Sequence, residues 1–395
     1  SPFDALGYPQ DHMDYAYENG AEALALTDHG NMNGMAYQVL HAKKMKAEGK
    51  NFKPIFGVEA YFIPSLDAWN QERDKAREDK KRASELKDST TMSVENEGET
   101  KRSKSILNQR SHLILLAQNQ TGLNNIFAMI SKSNSDKYFF RYPRVDYEVL
   151  REHSEGVIAA SACMGGVYAA NFWKFWDNEA ECITDQAGCE DAFRETTRNM
   201  VDIFGDRWYG ELQWHTDKKQ HMINKLVIQM HKEFGIKLIS TADSHYPNPE
   251  TWKDRELYKR LGFLGKGKPS WLSDELPESV AEVGYELYPK NGDQMWESYK
   301  HYTELNGVEY DDDLVMDSIT ETHNIAFNRI EDFMPDNEVR LPSFVVPDGY
   351  TADAALETTS LESLNKLGLL TNPEYKARLE EELSVISDRG FSKYF

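Results

Sequence analysis

The 395-residue chain is 40% hydrophobic and 12% aromatic, with a net charge of −21, which suits two or three folded domains and excludes one continuous nucleic-acid-coating surface. No apolar run approaches the ~18 residues of a membrane span, and no basic stretch followed by an apolar one marks a secretory leader. Three cysteines, Cys163, Cys182 and Cys189, are too few for a disulfide framework, so a reducing cytoplasm is the expectation.

Strand and helix signals alternate from the start. Glu22 to Thr27 reads as a short apolar strand, and Asn33 to Glu48 as a helix with Met35, Val39, Leu40 and Met45 at helical spacing. Lys53 to Pro64 and Ser111 to Ala117 are strands, and Thr121 to Ser131 is a helix with Leu123, Ile126, Phe127 and Ile130 on one face. Gly156 to Ala160 is a buried strand. The helix after it is rich in aromatics (Phe172, Trp173, Phe175, with Trp176 following), which most simply pack on the sheet. Trp208 to Trp214, Lys218 to Phe234 and Ile236 to Thr241 add a strand, a helix and a strand. Such repetition predicts a parallel sheet or barrel, with its site at the C-terminal ends of the strands.

Residues 65–110 interrupt the pattern. They are charged, nearly free of large apolar side chains, and read as a partly helical, largely disordered insertion. Lys80-Lys81-Arg82 or Lys101-Arg102 within it could contact nucleic acid or a partner. Gly265-Lys266-Gly267-Lys268-Pro269 reads as a flexible joint and lacks the arrangement of a phosphate-binding loop. Helices are expected near Gly292, from Asp312 to Ile330, and over Asn372 to Ser387, the last with Leu379, Leu383 and Ile386 inward; Leu341 to Pro347 is extended.

Five short motifs abut the strands: Thr27-Asp28-His29-Gly30, Gly57-Val58-Glu59, Ser111-His112-Leu113, Ser161-Ala162-Cys163 and Ala242-Asp243-Ser244-His245. Each offers imidazole, thiolate or carboxylate, a mixture suited to zinc or manganese. Ligands so distant in sequence meet only if the fold gathers strand ends at one rim, and a multinuclear cluster there implies phosphate-ester chemistry. His153, His215, His221, His231, His301 and His323 fit no such motif and are expected at the surface. Cys182 and Cys189 are spaced too widely for a structural zinc pair.

"ALALTDHGNMNG", "KPIFGVEAYFIP", "SHLILLAQNQTGLNNI" and "GIKLISTADSHY" follow one another in an order that resembles the PHP (polymerase and histidinol phosphatase) domain of replicative C-family DNA polymerases, the bacterial polymerase III alpha family. "LPSFVVPDGYTADAALE" and "YKARLEEELSVISDRGFSKYF" are similar to the start of that family's palm. The resemblance implies a distorted (β/α)7 barrel over 1–264, a connecting region over 265–340 and the beginning of a palm, α+β and mostly helical, over 341–395. It places metal ligands at His29, Glu59, His112, Cys163, Asp243 and His245, with Asp28 orienting its surroundings. It implies zinc or manganese at that site and magnesium at a palm site whose aspartates lie beyond Phe395. It implies DNA and deoxynucleoside triphosphates as substrates of a full-length polymerase, with a sliding clamp or proofreading exonuclease as partner and 3′–5′ exonuclease or pyrophosphatase activity at the PHP site. The His-x-His pair that opens PHP domains is missing; His12 sits in a helical context that does not match it. The chain therefore reads as a fragment truncated at both ends, without polymerase activity of its own. An inactive scaffold that docks a separate exonuclease, and a stand-alone phosphoesterase, are the alternatives.

Overall fold

Short, mostly apolar runs flanked by loops set the sheet. In a computed structural model that describes residues 4–88, 109–263, 276–336, 338 and 344–395, six strands hydrogen-bond in sequence order. They are β1 (Ala23–Leu26), β2 (Lys53–Phe62), β3 (Ser111–Ala117), β4 (Val157–Ala160), β5 (Trp208–Leu212) and β6 (Lys237–Ser240). The helices that accompany this open, curled sheet are α1 (Pro9–Glu18), α2 (Met35–Ala47), α3 (Leu66–Asp88), α4 (Gln120–Ser133), α5 (Tyr147–Glu152), α6 (Val167–Phe175), α7 (Gln186–Phe204), α8 (Lys218–Phe234) and α9 (Trp252–Phe263). This is the expected α/β architecture, with six strands among the described residues. Strand β4 is buried at every position, as strands covered on both faces must be.

The sheet is not all parallel. β1 and β2 run parallel, as do β4, β5 and β6, but β3 is antiparallel to both neighbours. Phe62 pairs with Ser111 and Ala117 with Val157, so β2–β3 and β3–β4 are in effect two wide hairpins. Hydrophobic periodicity reports burial and is blind to strand direction, which is why the sequence did not show this.

Local chemistry fixes the helix ends. Asn119 accepts from the Gly122 amide at 3.0 Å to start α4, and Asp217 caps α8, which ends at Gly235 in the left-handed region. Asp146 does two jobs: Oδ1 accepts from Val149 N at 3.0 Å, starting α5, and Oδ2 accepts from Leu66 N at 2.9 Å, fixing the start of α3. Leu66 and Trp69 are buried in the main core, each contributing roughly 1.5–3 kcal/mol. The Arg73 and Arg144 guanidinium groups lie 5.1 and 4.8 Å from the Trp69 ring centre. Residues 66–88 are thus helical, which gives the helical part expected of 65–110 its bounds. The apolar residues are few but fall on one face of the first turn. The remainder, 89–108 with Lys101-Arg102, and the 265–269 joint lie outside the described residues.

Phe172 is fully buried and stacks on Trp176, as its aromatic run suggested. The helix expected over Asp312 to Ile330 is regular only to Asn324 and continues as a π turn, Ile325–Arg329. Lys53 Nζ donates to the carbonyls of Ala326 and Ile330 at 2.7 and 2.6 Å, satisfying groups that a longer α-helix would have used. His221 is buried rather than superficial, because both ring nitrogens find partners: Nδ1 the Tyr310 hydroxyl and Nε2 the His215 carbonyl, each at 2.9 Å.

The chain divides into two compact units, Ser1–Pro335 and Asp336–Phe395. The second holds helices Ala352–Lys366 and Pro373–Asp388. Leu379, Leu383 and Ile386 share a half-buried stripe, and Phe344 N donates to Lys393 O at 2.6 Å.

Candidate metal centre

The antiparallel strand explains how the motifs meet. β1 continues its pairing with β2 past its end: Glu59 N donates to Asp28 O at 3.0 Å and Gly30 N to Glu59 O at 2.9 Å, which sets His29 beside Glu59. Gly30 has φ +67°, and a Cβ there would lie 2.9 Å from Pro143, so the turn after His29 requires glycine. His112 stands at the start of β3, opposite Tyr61. Because β3 runs backwards, its beginning lies at the rim where the other strands end. Cys163 follows β4 and Asp243 and His245 follow β6. The N-terminal segment joins them as Leu6 N donates to His245 O at 2.7 Å, bringing in Asp4.

Glu59 is buried and faces two imidazoles: Oε2 is 3.5 Å from His29 Nδ1, and Oε1 is 2.6 Å from His112 Nδ1. The second contact is short without hydrogen-bond alignment, and Glu59 Oε1 and His29 Nδ1 are both buried without a hydrogen-bond partner among the described residues. Cys163 Sγ lies 3.6 Å from His112 Nδ1 and accepts from Gly165 N at 3.4 Å. On the other side, Asp4 Oδ2 lies 3.1 Å from His29 Nε2 and 3.6 Å from His245 Nε2. His245 Nδ1 lies 2.6 Å from the Asp243 carbonyl oxygen and 3.7 Å from Asp243 Oδ1. Arg255 on α9 holds Asp4 from behind, Nη2 to Oδ1 at 3.2 Å and Nε to the main-chain oxygen at 2.8 Å.

These contacts set the protonation. Burial would raise the Asp4 carboxyl, but hydrogen bonds from His245 and His29 hold it well below the usual carboxylate range. Burial would depress His29, yet Asp4 and Glu59 raise it. His245 is likewise opposed by burial and carried up to about 9, mainly by Asp243 and then Asp4. Burial, reinforced by Asp243 and Glu59, pushes the Cys163 thiol well up.

Asp4, His29 and His245 form one group of three ligand atoms within 4.8 Å of one another, and His29, Glu59 and His112 form a second. Imidazole and carboxylate donors around two orphaned buried atoms fit divalent cations of the zinc or manganese type. The structure therefore brings His29, Glu59 and His112 together, sets Cys163 against His112, and sets His245, with Asp243 beside it, against Asp4. Asp28 turns its carboxylate to Gly34 N at 2.9 Å and anchors the turn that carries His29. His12 lies elsewhere, its Nε2 3.1 Å from Leu6 O.

Asp4, Arg255 and Glu211 were not found from sequence. Asp4 belongs to no metal motif; only the Leu6–His245 pairing reveals it. Glu211 is buried in β5. It accepts from Ala162 N at 2.8 Å and from the Thr241 hydroxyl at 2.6 Å, so it ties the Cys163 loop to the Asp243 loop. Both loops carry non-glycine residues at positive φ, Ala162 at 60° and Asp243 at 49°, conformations that persist only when the surroundings hold them. Burial lifts the Glu211 carboxyl to about 7 despite these hydrogen bonds.

An α/β fold with this histidine and carboxylate rim is that of a PHP domain. Residues 1–215 match the PHP domain family, and the chain belongs to it. Among curated proteins it is similar to DNA polymerase III subunit alpha of Aquifex aeolicus, 30% identical over 96% of this chain and 28% of that protein. The same subunit of Campylobacter jejuni is 29% identical over 95% of this chain and 28% of its own length. The chain thus spans between a quarter and a third of those relatives. Among solved structures, an amidohydrolase of Chromobacterium violaceum with bound sulfate and no metal aligns with 65% of this chain and 93% of its own. Its 12% identity and TM-score of 0.32 are too slight to bear on function. No helix among the described residues is long and apolar enough to cross a membrane.

Proposed function

We propose that this chain is the N-terminal part of a replicative DNA polymerase of the polymerase III alpha type, and that its PHP domain is a metal-dependent phosphoesterase centre acting on nucleic-acid ends. One observation carries the catalytic reading: two ligand triads share His29 around a buried Glu59 whose Oε1 has no hydrogen-bond partner among the described residues. Glu59, His112 and Cys163 would hold one cation and Asp4, Asp243 and His245 a second, with the single free ring nitrogen of His29 serving one of the two. Bound there, divalent zinc or manganese supplies Lewis acidity towards a phosphodiester and a nucleophile from water at neutral pH.

The protein's own groups prepare the site. Arg255 neutralises Asp4 while leaving Oδ2 directed at the two histidines. Glu211 holds the two strained loops, and Asp28 fixes the turn after β1. We read the unit beginning near Asp336 as the start of the palm, to which DNA, deoxynucleoside triphosphates and magnesium belong in the longer protein. A sliding clamp or separate proofreading exonuclease would be its partner. The test is metal content of the purified chain together with release of nucleotides from 3′-end-labelled single-stranded DNA in Mn²⁺ or Zn²⁺. Metal-dependent release that stops in Glu59→Ala supports the reading.

A second reading is favoured by one feature: Asp4, His29, His245 and Arg255 already balance one another through direct contacts. On this reading the domain is an inactive scaffold of the polymerase. Metal binding that stabilises the fold without any phosphodiester hydrolysis would favour it.

A further inference from the structure

Side chains two apart on a strand share a face. Glu59 is followed on β2 by Tyr61, and the register sets Tyr61 opposite His112, two residues after Arg110. Tyr61 lies parallel to the His29 ring, 5.8 Å between centres and 7° between planes, and edge-on to His112 at 5.6 Å. It also meets Tyr142 at 5.2 Å. The Arg110 guanidinium lies 4.0 Å from the Tyr142 ring centre and 5.7 Å from that of Tyr61. A continuous path therefore runs from the metal-binding histidines through Tyr61 to an exposed arginine.

Arg110 differs from its neighbour Arg144. Arg144 is buried and donates to the carbonyls of Gln109, Phe140 and Tyr142 at 3.2, 2.9 and 3.1 Å, which clamps together the two segments that carry Arg110 and Tyr142. Arg110 is exposed and, among the described residues, has aromatic faces and no carboxylate in ion-pair reach. A stacked guanidinium keeps its planar fork oriented and gains by cation–π attraction, while its N–H edge stays free for an anion. The rim also carries the carboxylates of Asp4, Glu59 and Asp243, and its Arg255 is already engaged by Asp4, so Arg110 is a cation left available for phosphate.

We propose that Arg110, laid on Tyr142 and Tyr61, is a substrate-binding residue that grips the phosphodiester next to the one being cut in a single-stranded nucleic-acid end. It stands two positions from His112, about 7 Å along an extended chain, so it meets a second phosphate rather than the one at the cations. The tyrosine faces beside it suit a sugar or base. A small phosphomonoester has no second phosphate to present. The proposal rests on the phosphoesterase reading above.

The experiment is fluorescence anisotropy with a phosphorothioate-linked single-stranded oligodeoxynucleotide in Mn²⁺, on the wild-type chain, Arg110→Ala and Arg110→Lys, with a deoxymononucleotide as competitor. Arg110→Ala is expected to weaken oligonucleotide binding about tenfold and to lower the salt slope by about one, while the mononucleotide competes equally in all three proteins. Arg110→Lys should restore the salt slope and only part of the affinity, because charge returns without the planar stack. Equal oligonucleotide affinity in wild type and Arg110→Ala overturns the proposal, as does an equal loss for the mononucleotide. A wild-type chain that takes the mononucleotide but no oligonucleotide sinks the nucleic-acid reading of the centre, and Arg110's role with it.

Discussion

The two halves of the centre share His29 and differ in how they are satisfied. The half built on the sheet, with His29, Glu59, His112 and Cys163, leaves buried polar atoms without hydrogen-bond partners and keeps Cys163 a thiol. The half built on the N-terminal segment and the loop after β6, with Asp4, Asp243, His245 and Arg255, is closed by hydrogen bonds and ion pairs. A buried group without a partner costs about 1–3 kcal/mol, so the first half is poised for a cation, whereas the second can stand without one. A cation must displace a proton in either half, from the Cys163 thiol in the first and from His245, held up to about 9, in the second. Tighter binding is accordingly expected in the first half, with pH dependence in both.

The strongest way to break this contrast is Glu59→Ala. It should weaken the tighter site by about a hundredfold or more, since even residues that only orient ligands account for ten- to hundredfold. Titration calorimetry with Mn²⁺ reads this directly, and an unchanged tight site would show that Glu59 is a core carboxylate. Glu211→Ala should weaken metal about tenfold by freeing the Ala162 and Thr241 loops. Glu211→Gln, which can still bond both loops, should recover most of the affinity; equal binding in all three proteins would remove Glu211 from the site.

His215, beyond β5, gives a measurement made on the metal-free chain. Burial lowers its imidazole to about 4, from an ordinary value near 6.5. The unfolded chain therefore binds the proton first: stability is full above pH 6.5 and falls as pH drops towards 4. The loss should be about 1 kcal/mol per pH unit in that window, seen by urea unfolding at pH 5 and pH 7, and flattened in His215→Asn. A slope of the same size in the variant would assign it to other groups. The smallest effect is that of Asp28→Ala, which should cost about 1 kcal/mol in thermal unfolding by releasing Gly34 N, and should leave the Asp4 half intact.

Much of this centre was legible in the chain. The sequence motifs named His29, Glu59, His112, Cys163, Asp243 and His245 as candidates, and the fold gathers these side chains near one another. Asp4 escaped because it reaches His29 and His245 only by virtue of a backbone pairing with the far end of the domain. Glu211 escaped because a carboxylate within Trp208–Leu212 looks like the outward residue of an alternating strand, and its partners lie on other strands. The bounds and buried face of the helix over Leu66–Asp88 were hidden by charge, since Leu66, Trp69 and Arg73 are too few to dominate its composition. The direction of β3 left no trace in periodicity at all.

That reversed strand has a practical corollary. Phe62 and Ser111 are hydrogen-bonded neighbours, so the sheet closes across whatever chain lies between them, and doubling the length of such a closed loop costs only about 0.6 kcal/mol. Sequence grafted between Asp88 and Ser111 should therefore leave the strand register untouched. The fold thus offers a place to insert a reporter, or a second enzyme, without disturbing its sheet.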